Sequence, residues 1–135
     1  MSKYYAKIIA NDQSGLQMIS AYSSGAKVKV SNIKYLPSNK VFLISIERTK
    51  IETNQEDKKI NSVCRFDFVD KVQSKNIDQS NQEMVLELIG IDYLKNNDDY
   101  EINLIFNNNA HIALTTETIE VRLEDQSEIN KLWKY

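Results

Sequence analysis

Between Lys27 and Thr116 apolar residues return at nearly every second position, and only three glycines and one proline punctuate the whole chain. Side chains of an extended strand alternate between two faces, so this period calls for a sheet with one dry and one wet side. "KVKVSNIKYL" carries Val28 and Val30, then Ile33 and Tyr35. The parity changes at Ser31-Asn32, which predicts a bulge or bend. "PSN" at 37–39 supplies a turn, since proline presets φ and Ser and Asn bond back to their own backbone. "KVFLISIERTKIE" follows with Phe42, Ile44 and Ile46 on one parity. Val41 and Leu43 fall on the other, so its start is expected to be buried on both sides. "TNQEDKK" reads as a charged loop.

The next alternating run places Cys64, Phe66, Phe68 and Val72 on one side. Asn76 suits a tight turn, because Asn tolerates the left-handed backbone. "EMVLELIGIDYL" switches from Met84, Leu86 and Leu88 to Ile89, Ile91 and Tyr93 beside Gly90, a second bulge signal. "YEINLIF" and "HIALTT" then alternate cleanly, separated by "NNNA". Upstream, "YYAKIIA" (4–10) reads as a short strand and "NDQSGLQMISAYSSG" as a helix. Asn11 or Asp12 can cap that helix, Leu16, Ile19 and Tyr22 form its apolar stripe, and Gly25 suits the position past its end. Residues 117–125, "ETIEVRLED", fit either a strand through Ile119, Val121 and Leu123 or a helix through Ile119 and Leu123. The helix is preferred, with Thr115 or Thr116 as its cap and Glu117 and Glu120 in its first turns. The tail offers Ile129, Leu132 and Trp133 as anchors.

The expected fold class is α+β and mostly β: one domain over 1–135, with about seven antiparallel strands in a bent sheet or partly open barrel. A helix follows strand one and another closes the C-terminal end. That order looks like a pleckstrin-homology-like barrel; a two-layer sheet-and-helix sandwich is the alternative.

Composition narrows function mainly by exclusion. A net charge of −2 over 135 residues gives no electrostatic case for nucleic acid, which needs a concentrated basic footprint. No apolar run is long enough for a signal peptide or a membrane span. The single Cys64 permits no internal disulfide, and the chain fits a reducing, cytoplasmic compartment. Cys64 shares parity with Phe66 and Phe68 and is expected in the core rather than as a nucleophile. His111, the only histidine, is expected exposed at a turn, and one Cys with one His is too few for an ordinary zinc site. No phosphate-binding glycine loop and no nucleophile elbow is present, so no cofactor is expected.

One polar feature stands out. Arg65, Asp67, Lys71, Gln73 and Lys75 share a parity and would form a stripe roughly 33 Å long on a continuous strand. Its mixed sign fits a solvated sheet face; its alternative is a shallow interaction surface with Arg48, Arg65, Lys71 and Lys75 as cations and Trp133 as a separate anchor.

"KIIANDQSGLQMISAYSSGAKVKVSNIKYLPSNKVFLISIER", "RFDFVDKVQSKNIDQSNQEMVLELIGIDY" and "INLIFNNNAHIALTTETIEVRLED", with the late Trp133, resemble a small uncharacterised bacterial domain family of unknown function with alphaproteobacterial members. The resemblance covers nearly the whole chain. Asn76, Asn107, Asn108 and Asn109 stand where that pattern has glycines, a mild change at positive φ. The resemblance implies no catalytic residue. The expectation is a non-enzymatic module that takes a protein or peptide at a sheet edge, or between the last helix and the sheet. The alternatives are a small enzyme using Asp78, Glu83 or Tyr93 in a cleft, and a structural homodimer built around Leu132 and Trp133.

Overall fold

The computed structural model describes residues 5–50 and 58–126. Ten strands form a continuous antiparallel sheet. They are β1 (Lys7–Ala10), β2 (Ala26–Lys29), β3 (Ile33–Leu36), β4 (Val41–Thr49), β5 (Lys59–Phe66), β6 (Val69–Lys75), β7 (Val85–Asn96), β8 (Asp99–Phe106), β9 (His111–Thr116) and β10 (Val121–Asp125). The spatial order is β1-β10-β5-β4-β2-β7-β8-β9-β6, with β3 paired to β4 beside β2. The sheet is not closed, and it has three strands more than the period alone suggested.

Much of the difference comes from corners that divide a single alternating run. β2 and β3 are separated by a 3-10 turn, Val30–Asn32, where a bulge or bend was expected. β5 and β6 are separated at Asp67-Phe68. Phe68 has φ +60° and is exposed, so the core parity passes from Phe66 to the fully buried Val69. A bulky residue in left-handed backbone is uncommon, which is why "RFDFV" gives no sequence warning of a corner. The expected stripe from Arg65 to Lys75 is therefore broken. β5 pairs with β4 and β10, whereas β6 pairs with β9.

Residues 117–125 correct a second expectation. β10 there runs antiparallel to β5, with Val121 opposite Phe66 and Leu123 opposite Cys64. Both apolar residues are fully buried, and a helix would keep only part of that register. No helix lies over 117–125, so the C-terminal helix and the groove beside it are not where the sequence placed them. The order of seven strands and a closing helix that suggested a pleckstrin-homology-like barrel is thus not the order observed. The tail carrying Leu132 and Trp133 lies outside the described residues.

Other expectations hold. Helix α1 (Gln13–Ser23) begins at Asp12, whose Oδ1 accepts from the Gly15 N–H at 2.8 Å, and Gly25 follows at φ +84°. Leu16 and Ile19 are fully buried and worth ~1.5–3 kcal/mol each by transfer. A Cβ on Gly15 would lie 2.9 Å from the Ala10 backbone, so α1 sits tight on β1. Asn76, Asn108 and Asn109 all have φ near +60°, and pairing shifts register between Leu88 and Gly90. The start of β4 is buried on both faces. Phe42 and Ile44 join the main core with Cys64, Leu104 and Leu114, while Val41 and Leu43 meet Val63 and Leu36 on the other side.

Candidate functional site

Strand direction defines the most distinctive feature of the molecule. β2 is antiparallel to β7, β7 to β8, β8 to β9, and β9 to β6. Four reversals leave β6 running in the sense of β2. β3 shares that sense, because β2 and β3 are both antiparallel to β4. The sheet curls until β3 and β6 face each other, each paired on one side only among the described residues. Two like-directed edges therefore flank an open seam.

The seam holds a cleft of about 320 Å³. Ile33 and Tyr35 of β3 and Val72 and Ser74 of β6 form its walls, and Phe42 and Ile112 line it from neighbouring strands. The β6–β7 connection brings Ile77, Gln79 and Gln82 to it. Alternation explains the lining: inward residues of β3 and β6 are apolar or small, while Lys34, Lys71, Gln73 and Lys75 take the outward parity. One end is tied. Tyr35 Oη donates to the Val69 carbonyl at 2.9 Å, and the Val69 N–H donates to the Lys40 carbonyl at 2.8 Å. Lys40 itself bridges Asp70 and Glu117, both at 3.0 Å. Its hydrogen bonds to the Asp70 and Glu117 carboxylates raise its pKa above the ordinary lysine value. These contacts draw together the β3–β4 turn, β6 and the β9–β10 connection.

The expected interaction residues do not form one surface. Arg65 lies on β5, whereas Lys71 and Lys75 lie on β6, beyond the Phe68 corner. Arg48 is not a surface cation: it is fully buried, and its Nη2 meets Asp125 Oδ2 at 2.8 Å. Its Nε donates to Asp125 Oδ1 at 3.0 Å and to Ser62 Oγ at 3.2 Å, and Ser62 Oγ donates to Asp125 Oδ1 at 2.6 Å. Asp125 Oδ2 also accepts from the Ala6 N–H at 2.7 Å, and the guanidinium lies 5.3 Å from the Tyr22 ring centre. This cluster joins the β1 entry, α1, β4, β5 and β10. Asp125 looked like one acid in "RLED"; nothing in that run signals burial.

The catalytic candidates stay apart. Cys64 is fully buried, and burial pushes its thiol up to about 12, away from reactivity. His111 takes the outward parity of β9, opposite Lys75 and Ile105, and its Nε2 lies 2.7 Å from Asn103 Oδ1. It is half-buried rather than exposed. Asp78 sits in an exposed turn, its pKa lowered by hydrogen bonds from the Ser80 hydroxyl and N–H. Glu83 lies 3.5 Å from Lys29, and Tyr93 packs against Tyr100 at 5.9 Å. Among the described residues no group of three or more His, Cys, Asp and Glu is disposed to hold a metal ion. None of the described helices is long and apolar enough to cross a membrane.

A curled antiparallel sheet with an open seam between like-directed edges thus defines the class of protein. The chain belongs to the family described as "Protein of unknown function (DUF2948)", whose sequence pattern matches residues 6–133. No curated protein and no solved structure shows a significant match to it.

Proposed function

We propose that this protein is a binding module that takes an extended segment of a partner protein into the seam between β3 and β6. The observation that carries the reading is the shared direction of the two edges. An extended segment running opposite to both would restore antiparallel alternation across the gap and offer main-chain partners to both edges. The cleft is small, at the low end of the ~300–1,000 Å³ of typical ligand sites, which suits a few alternate side chains. β3 has four residues, so contact with it spans roughly 13 Å. Inward positions of the segment would be apolar to match Ile33, Val72 and Ile112.

The reading takes the chain as a single domain working in a bacterial cytoplasm, in keeping with its one buried cysteine. A pleckstrin-homology-like barrel remains a comparison for the curled sheet, supported by one main core enclosed by antiparallel strands.

The test is a selection of random peptides on the purified protein, repeated with Ser74→Trp. Ser74 is an exposed residue on the cleft wall, so the indole fills the seam without entering the core. Enriched peptides with alternating apolar positions, losing at least tenfold in affinity for Ser74→Trp at unchanged thermal midpoint, are the expected result. Peptides that bind both proteins equally, or no enrichment, would overturn the reading.

A further inference from the structure

Each edge of the seam has an outward side as well as the inward one that lines the cleft. Along β6 the outward residues are Lys71, Gln73 and Lys75, all exposed. Across the seam Lys34 takes the outward place on β3, and neither Ile33–Leu36 nor Lys71–Lys75 holds an acid. The β9 residues opposite β6 supply none either: Thr115 faces Lys71, Ala113 faces Gln73 and His111 faces Lys75. Among the described residues no ion pair reaches Lys71 or Lys75. Of the acids nearest in the chain, Asp70 is bridged by Lys40 at 3.0 Å. Asp78 lies past the end of β6 and accepts from Ser80 in its own turn. The β6 flank of the seam thus carries unmatched positive charge in a chain whose net charge is −2.

We propose that the segment taken into the seam is acidic on its outward side, an inference that rests on the binding reading above. A strand laid beside β6 sets each of its residues directly opposite one of β6, on the same face and with Cβ atoms about 4.5–5.5 Å apart. Lys71 and Lys75 lie roughly 13 Å apart along β6, so an antiparallel segment meets them with residues four apart. From its N-terminus such a segment passes Lys75, Ser74, Gln73, Val72 and Lys71 in turn. The matching pattern is acid, large apolar, polar, apolar, acid. The large apolar residue falls opposite Ser74, where the small side chain leaves room in the cleft, and the polar residue opposite Gln73 stays in solvent. Opposite charges paired across strands stabilise, and like charges destabilise. A basic segment with the same apolar positions is therefore turned away, which main-chain bonding and an apolar cleft alone would not do.

The experiment is an amide chemical-shift titration of the whole chain with three synthetic peptides, their ends blocked to remove terminal charge. The first is Glu-Leu-Gln-Val-Glu; the other two carry Ser or Lys in place of both Glu. At low ionic strength the Glu peptide should bind about tenfold tighter than the Lys peptide, with the Ser peptide between them and the shifts concentrated on β3 and β6. Salt at about 0.5 M should close most of that gap, because it screens exposed charge. Lys71→Glu combined with Lys75→Glu should reverse the order of the Glu and Lys peptides at a nearly unchanged thermal midpoint, since both side chains are exposed. A preference for Glu that persists in that double variant would overturn the proposal. Equal affinities for all three peptides, each abolished by Ser74→Trp, would overturn the acidic preference and leave the seam standing as a binding site. Failure of every peptide to shift β3 or β6 would overturn both.

Discussion

Cys64 shows how a single side chain reports the quality of the core. Burial raises the pKa of its thiol from 9.0 to about 12, and the Ser23 hydroxyl and the Arg48 charge, which act the other way, offset only part of that. The unfolded chain loses the proton near pH 9, and the folded chain holds it. The thiol's contribution to stability is therefore complete below pH 9.0 and is lost as pH rises toward about 12. Cys64→Ala should flatten the fall in urea midpoint from about pH 8 to about pH 11, relative to the parent chain. Equal slopes in the two proteins would place the alkaline transition elsewhere. In the folded protein the thiol should also resist aromatic disulfide reagents until urea unfolds the chain.

Among the elements, the buried Arg48–Asp125 pair decides how β1, β4, β5 and β10 are held. Its two ionic contacts, the Ser62 hydroxyl and the Ala6 N–H satisfy both charges inside the protein. A satisfied buried pair adds little over an apolar pair of the same shape, but breaking it strands a charge. Asp125→Ala should cost about 3–5 kcal/mol in chemical denaturation. Arg48→Met combined with Asp125→Leu should recover most of that loss. A double variant as unstable as Asp125→Ala would show that the pair contributes net stability of its own. The arrangement also explains the strand at 117–125. β10 places Asp125 opposite Ser62 and closes the cluster, which a helix over the same residues could not do in this register.

The molecule as a whole is a sheet curled almost onto itself and left open at one line. Hydrogen exchange should map that line. β8 has β7 and β9 on its two sides, while β3 and β6 have one paired neighbour each among the described residues. Amides of β6 and β3 should exchange at least tenfold faster than those of β8 under native conditions. A peptide seated in the seam should slow β3 and β6 and leave β8 unchanged. Uniform protection across the three strands would mean that the seam is closed in solution.

Local chemistry was legible in the sequence wherever a short-range rule governs. The period of two identified the sheet, Asn11 or Asp12 the start of α1, Gly25 its end, Gly90 the bulge, Asn76 a left-handed turn, and residues 107–110 a turn. Each follows from the sterics or hydrogen bonding of a few adjacent residues. What the tertiary structure decided were the long-range choices. The corner at Phe68 is set by pairing β5 with β10 and β6 with β9, against the preference of a phenylalanine for negative φ. Arg48 is inside because Asp125, distant in sequence, lies beside it. The seam exists because four antiparallel steps bring β6 round to β3 in the same direction. Alternation fixes which face a side chain takes, but it carries no information about which strand lies next to it.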